Sequence, residues 1–577
     1  MDLLVFAVLA VLVIVAVTSF APRVGVAAPL LLVLIGMGVS LLPFVPAIEI
    51  EPELILGVVL PPLLYSSATN MPTMDFRRDF RTISAFSVVL VVVSAVVVGF
   101  VLDRLVPGIG LATGIALGAI VSPTDAVATS IVRKAGVSPR IVTVLEGESL
   151  LNDASALVLL RSAIVATSGA VSLWGVAGDF VFAVVVAVAV GYAVGHLHVW
   201  ARGHLTQTTS NVALSFVVPF VAFLPAEHLG ASGLVAAVTA GLVTGHAAPR
   251  ALKARDRVAE HAVWRTVELL LEGAVFLIMG LEVFALVEDL EHAHGRVWTA
   301  VALGALTATL VVALRSVFVA WSVWELSRRA QRNPQVRDWL TDAQARLDAG
   351  EPVHRPGRRR GRPRPRGQTA AEGAEAAGRR VRRRIADIDY LTAERFGVRE
   401  GVVLVWAGMR GVVTLAAAQS LPSDTPQRSL LVLVAFVVAA GTLLVQGATL
   451  PWVTRRLGLT GRAENDAAGL AALRDDLRRA ALVRLQDPRL RQPDGSPFPP
   501  AAVARARQRL TVIETAVEAD DDTQAADDAG FAVLLVMLQA QRDELLRLRD
   551  LGTYPSSTLR RALAELDAIQ IGIELRS

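Results

Sequence analysis

The stretch "GAIVSPTDAVATS", Gly118 to Ser130, decides how this chain is read. It lies in a long apolar run, yet it carries a proline and an aspartate. Proline removes a helical hydrogen bond and clashes with the preceding turn. In hydrocarbon the freed carbonyls must find other donors, so irregular backbone is tolerated only inside protein or beside a cavity. Asp125, next to the break, must then meet a cation or a cationic side chain. Gly110, Gly114 and Gly118 precede it at a spacing of four. Small residues so spaced let helices approach closely in lipid.

The whole chain supports the hydrocarbon setting. Of its 577 residues, 53% are hydrophobic and 19% charged, and mean hydropathy is +0.53. That is too apolar for a soluble protein of this length. Apolar runs of about 20 residues recur, each long enough to cross about 30 Å of hydrocarbon. They read as about thirteen spans. Alternate loops differ in charge: one set holds Arg77-Arg78, Arg133-Lys134, "RALKARDR" and Arg455-Arg456, the other "EIEPE", "AEHLG" and "EDLEHAHGR". The positive-inside rule makes the basic set cytoplasmic. The N-terminus is then outside and the C-terminus inside, as an odd number of spans requires. The N-terminal stretch lacks a basic leader region and reads as a retained first span. A multi-pass protein of the cell membrane is expected.

Four segments follow. Residues 1–326 and 399–457 carry the spans. Residues 327–398 form a cytoplasmic Arg-rich insertion. Its core "HRPGRRRGRPRPRG", 354–367, has the composition of a disordered segment. Residues 458–577 read as a cytoplasmic tail of Leu/Ala-striped helices with a regulatory role. No cysteine is present, which excludes disulfides and thiolate chemistry. No catalytic triad, phosphate loop, EF-hand or HExxH motif occurs, so neither an enzyme nor a cofactor is expected. His196, His198, His228 and His246 fall near span ends and read as interfacial groups. The Arg-rich insertion has no interleaved aromatics and is tethered to a bilayer, so lipid is its expected partner and nucleic acid is not.

The next span contains "EGESLLNDASALVLL", Glu146 to Leu160. Ser149, Asn152 and Asp153 share a helix face, with Glu148 one turn from Asn152. Intramembrane acids are functional candidates by default. Asn152 and Asp153 offer oxygen ligands suited to a hard monovalent cation. Two arginines also lie in apolar runs: Arg315 in "LVVALRSVFVAW" and Arg410 in "VWAGMRGVVTLAAAQSLP". Gly408 and Gly411 interrupt the second. If the seventh span links two six-span halves, spans five and twelve are the fifth of each half. Paired interrupted helices at matching positions point to a transporter site.

"SPTDAVA", "EGESLLNDASALVL" and "WAGMRGVVTLAAAQSLP" resemble the signatures of the monovalent cation:proton antiporter-1 family, the sodium/proton exchangers, including the NhaP-like bacterial members. The resemblance spans roughly residues 1–326 and 399–456. It implies an all-α fold with two inverted six-helix repeats, discontinuous crossing helices and a homodimeric assembly. It implies that Asp153 binds the cation and the proton, with Asn152, Ser149, Asp125 and Thr124 around it and Pro123 at the helix crossing. It pairs Glu148 with an arginine, identified as Arg315. One departure stands out. Members commonly carry an acid after "LPPLLY"; here that place holds Ser66. Arg410 then lacks the acidic partner the family pattern supplies.

The expected activity is electroneutral exchange of Na⁺, K⁺ or Li⁺ for H⁺, Na⁺ foremost, by competition at Asp153 with alternating access. Such exchange serves pH homeostasis. A K⁺/H⁺ antiporter of the same mechanism and a passive cation channel are the alternatives.

Overall fold

The computed structural model describes residues 2–43, 51–168, 173–330, 333–349, 370–393, 396–459, 467–492, 495–511 and 528–575. The Arg/Pro/Gly core at 354–367 lies outside them. Among the described residues the secondary structure is helical, apart from an isolated bridge between Arg491 and Pro497.

The helices are, in order, α1 (Asp2–Val24), α2 (Ala28–Ser40), α3 (52–70), α4 (Thr73–Leu105), α5 (Gly110–Val121), α6 (Val127–Lys134), α7 (Pro139–Ser168), α8 (Leu173–His204), α9 (Thr208–His228), α10 (Gly233–Ala251), α11 (Ala254–Leu281), α12 (Val283–His292) and α13 (Val297–Ala330). Two helices of the insertion follow, α14 (Asn333–Asp348) and α15 (Ala370–Ala393). Then come α16 (Val398–Trp406), α17 (Val412–Gln419) and α18 (Arg428–Arg456). The tail adds α19 (Ala467–Leu485), α20 (Pro500–Thr511), α21 (Asp528–Leu551) and α22 (Ser556–Glu574). Eight helices among the described residues are long and apolar enough to cross a membrane, and α2 and α5 are shorter apolar helices.

The chain divides into two compact units. The first contains 1–252, 259–325 and 396–463; the second contains 253–258, 326–395 and 464–577. In the second, Leu485, Phe498, Ala502, Ala506 and Val533 share a small apolar core that explains the Leu/Ala striping of the tail. Arg257 and Arg542 both bond to the buried carboxylate of Asp567 there.

In the first unit, α3 and α4 each contain one π-helical stretch, Ile55–Val59 and Ala85–Leu90. The second faces α7, where the Ser87 hydroxyl donates to the Glu148 carbonyl (3.2 Å). Near the start of α7, Arg140 reaches Asp79 of α4 through two nitrogens (2.7 and 3.0 Å), and both side chains are buried. His198 corrects the reading of an interfacial group: it is only 3% exposed, within reach of Tyr65 and Thr244. Packing between helices from distant parts of the chain covers it, which position along one span does not reveal.

The small-residue face of α5 lies against α4. A Cβ at Gly118 would stand 2.4 Å from the Ala95 carbonyl oxygen, whereas one at Gly38 would meet nothing within 4 Å. Gly118→Ala must therefore push two backbones apart, and overpacking of this kind costs about 1–3 kcal/mol. Gly38→Ala gains helix propensity without a clash. Thermal denaturation in detergent is expected to show a lowered melting temperature for Gly118→Ala and none for Gly38→Ala; equal behaviour would contradict the close approach.

Candidate ion-binding site

Two helix breaks meet in the first unit. The first, Ser122 to Ala126, separates α5 from α6; the second, Ala407 to Gly411, separates α16 from α17. They are joined directly, because the Asp125 backbone N–H donates to the Met409 carbonyl (2.8 Å). Each break frees backbone groups that water cannot reach in hydrocarbon. The structure satisfies them locally. Asp125 Oδ1 accepts from the Val127 N–H at the start of α6 (2.8 Å). The same carboxylate lies against Gly411, where any Cβ would overlap it.

Arg410 serves the carbonyl ends. It is 2% exposed. Its Nε donates to the Val121 carbonyl (2.9 Å), one Nη to the Ser122 carbonyl (3.4 Å) and the other to Gly408. Its backbone N–H donates to the Thr442 hydroxyl (3.0 Å). Among the described residues no carboxylate accepts a hydrogen bond from Arg410. The cation instead sits at the C-terminal end of α5, where helix carbonyls carry partial negative charge. Ser66 is turned elsewhere: its hydroxyl donates to Glu268 of α11.

A second polar chain runs behind the breaks. Asn152 Nδ2 donates to Thr124 Oγ1 (2.9 Å), which donates to Glu148 Oε1 (3.1 Å). Arg315 holds both Glu148 oxygens, the second at 2.9 Å, and its Nε donates to the Leu404 carbonyl at the end of α16 (2.8 Å). Glu148 and Arg315 are each 1% exposed. Gly408 makes room for the guanidinium, since a Cβ there would stand 2.5 Å from Arg315 Nε.

In front of the breaks is a cavity of about 90 Å³. Pro123, Thr124, Asp125, Ser149 and Asp153 line it, together with Leu60, Leu64, Glu272, Val275 and Phe276 of α3 and α11. Asp153 is 7% exposed and, among the described residues, takes part in no hydrogen bond or ion pair. Ser149 donates to the Glu146 carbonyl (3.2 Å) and keeps its oxygen lone pairs free for another partner. Asn152 Oδ1 is buried without a hydrogen-bond partner. Carboxylate and hydroxyl oxygens around one small void make a donor set for a hard cation. Thus Thr124, Asp125, Ser149 and Asp153 meet at the cavity. Asn152, Glu148 and Arg315 form the buried chain beside it. Arg410 and Ser66 stand apart from it, each in its own bonds.

A family profile described as the transmembrane sodium/hydrogen exchanger matches residues 8–333 and 381–456. The chain belongs to the sodium/hydrogen exchanger family. Over 568 residues it is 29% identical to an uncharacterized Na⁺/H⁺ exchanger of Mycobacterium bovis, covering 96% of this chain and 93% of that protein. A sodium, potassium, lithium and rubidium/H⁺ antiporter of Bacillus pumilus is 26% identical over 459 residues, 76% of this chain and 59% of that one. The structure of the sodium proton antiporter MjNhaP1 from Methanocaldococcus jannaschii superposes with a TM-score of 0.55 at 16% identity, covering 79% of this chain and 99% of that one. The fold is therefore of that type.

Two acids of this chain escape a reading centred on the breaks: Glu268 and Glu272, in "VELLLEGAVFLIMG". Their signal is a pair of acids four residues apart inside an apolar run, one helix face within a span.

Removing one partner of a buried ion pair leaves the other charge unpaired and costs about 3–5 kcal/mol. Glu148→Gln is expected to lower yield and melting temperature in detergent, and Arg315→Gln in the same chain to recover part of the loss. Strict additivity of the two single losses would argue against the pairing.

Proposed function

We propose that this chain is a secondary antiporter that exchanges a monovalent cation, Na⁺ foremost, for H⁺ across the cell membrane. The observation that carries the reading is Asp153: a buried carboxylate without a bonding partner, facing a small cavity beside two broken helices. Such a group holds either a proton or a cation, and the two compete. Ser149, Thr124 and Asp125 supply further oxygens, and Asn152 adds none of its own charge. Glu148 and Arg315 neutralise each other and brace the crossing. Exchange is then electroneutral, one cation for one proton, and proceeds by alternating access. K⁺ is the second reading, favoured by the Bacillus pumilus relative whose name includes sodium, potassium, lithium and rubidium.

The finer architecture belongs to the same proposal: thirteen spans in two inverted six-helix repeats, a homodimer, the N-terminus outside, and insertion and tail in the cytoplasm. Residues 458–577 regulate exchange rather than perform it.

In proteoliposomes, an imposed Na⁺ gradient should move protons, and clamping the membrane potential at zero should leave the rate unchanged. A proton competes for the same carboxylate, so lowering pH should raise the apparent KM for Na⁺ while maximal turnover changes much less. Asp153→Asn should abolish exchange in a protein that stays folded. Na⁺ currents without proton coupling would replace the antiporter with a channel, and exchange by Asp153→Asn would remove Asp153 from its role.

Protease added to inside-out vesicles should trim residues 458–577 and leave exchange with altered pH dependence. Protease added to right-side-out vesicles should spare them. The reverse pattern would invert the topology.

A further inference from the structure

The cavity has a mouth, and the mouth carries an acid that the reading above does not use. Of the residues that line the cavity, three are exposed: Ser67 of α3, Ala126 of the first break and Glu272 of α11. Asp153 and Ser149, by contrast, are 7% and 8% exposed. The void therefore opens on the side of Ser67, Ala126 and Glu272 and ends at Asp153. Among the described residues Glu272 takes part in no hydrogen bond or ion pair. Glu268, one turn earlier on α11, is by contrast engaged by the Ser66 hydroxyl. Of this i, i+4 pair of acids, one is held and the other is left facing the void.

We propose that Glu272 is a second cation-binding carboxylate of this cavity, placed at its mouth, from which the cation passes inward to Asp153. This rests on the antiporter reading and deepens it. The physical reasons are three. A carboxylate at the opening of a low-dielectric cleft concentrates cations there, because apolar walls focus its field. The walls between Glu272 and the interior include Leu60, Leu64, Val275 and Phe276, which offer a dehydrating ion no oxygen. The oxygens at the two ends of the void, Glu272 outside and Asp153 with Ser149 inside, are therefore successive ligands along one path. Asp153 itself, nine-tenths buried and unpartnered, marks where that path leads.

The test compares wild type, Glu272→Gln, Glu272→Asp and Asp153→Asn in proteoliposomes. Glu272→Gln keeps the side-chain shape and removes the charge. It is expected to raise the apparent KM for Na⁺ about tenfold, with maximal turnover within about twofold of wild type. Glu272→Asp should return most of the affinity. The KM difference should shrink when N-methylglucamine chloride raises ionic strength, because the field at an open mouth is screened. Adding Ser67→Glu to Glu272→Gln puts a carboxylate back at the mouth from the neighbouring helix and should lower the KM again. A purely structural role for Glu272 predicts neither the salt dependence nor this rescue.

A binding measurement separates the two layers of the proposal. Na⁺ should raise the melting temperature of the purified wild-type protein. Glu272→Gln should shift the half-maximal Na⁺ concentration upward by the same factor, and Asp153→Asn should abolish the response. Wild-type protein that binds Na⁺ in this way, loses affinity on Glu272→Gln, yet couples no protons would overturn the antiporter reading and keep Glu272 in place. A folded Glu272→Gln protein with wild-type KM and wild-type half-maximal Na⁺ concentration would overturn the assignment of Glu272.

Discussion

A helix that stops inside hydrocarbon leaves carbonyls with no donor, and Arg410 supplies that donor. Its guanidinium gathers the carbonyls of Val121, Ser122 and Gly408, and its own backbone N–H is taken by Thr442. Without this, the interruption at Pro123 would expose unsatisfied backbone at a cost of several kcal/mol per group. With it, the chain can leave helical geometry where a binding site needs oxygens. The other end of each interruption is served by different means. Asp125 caps α6 through the Val127 N–H and receives no help from a second cation.

The polar chain from Asn152 to Leu404 performs a related task with side chains. Thr124 is its pivot, accepting from Asn152 and donating to Glu148. Glu148 in turn is held through both oxygens by Arg315, which also takes the Leu404 carbonyl of α16. Four segments, α7, the first break, α13 and α16, are thereby tied to one another by buried bonds. Glu146 of the same helix pairs with Arg133, which leaves Asp153, one residue beyond Asn152, as the acid of α7 without a bonding partner among the described residues. A satisfied neighbour and an unsatisfied one, side by side on a helix, are what separates a brace from a site.

The membrane class, the two interruptions and the acids beside them were legible in the sequence because each violates a strong rule. Proline and aspartate in an apolar run, or arginine between glycines, have no bland explanation at that depth. Partners were legible only where a resemblance supplied them. The pattern of the family suggested an acid for Arg410, and the serine at position 66 left that arginine without one. Backbone carbonyls fill the place, and carbonyls carry no signature in sequence. Glu268 and Glu272 were missed for the opposite reason. They are two acids among leucines, close to a basic loop at 250–257, and resemble the polar end of a span. Only the placement of α11 across from α7 gives Glu272 a meaning. His198 taught the same lesson on a smaller scale.

The cavity's two walls differ in how they are built. One is stitched: α5, α6, α7, α13, α16 and α18 meet through the bonds of Arg315, Arg410, Asp125 and Thr124. The other, formed by α3 and α11, has its own internal tie between Ser66 and Glu268. Where the walls face each other, the lining is mostly Leu60, Leu63, Leu64, Val275 and Phe276 against backbone and small side chains. The cavity is thus a seam rather than a pore. Apolar surfaces slide past one another without breaking a directional bond, whereas either stitched wall resists shear within itself. A fold assembled this way has a plane of easy slip, and that plane passes through the cavity that Asp153 lines.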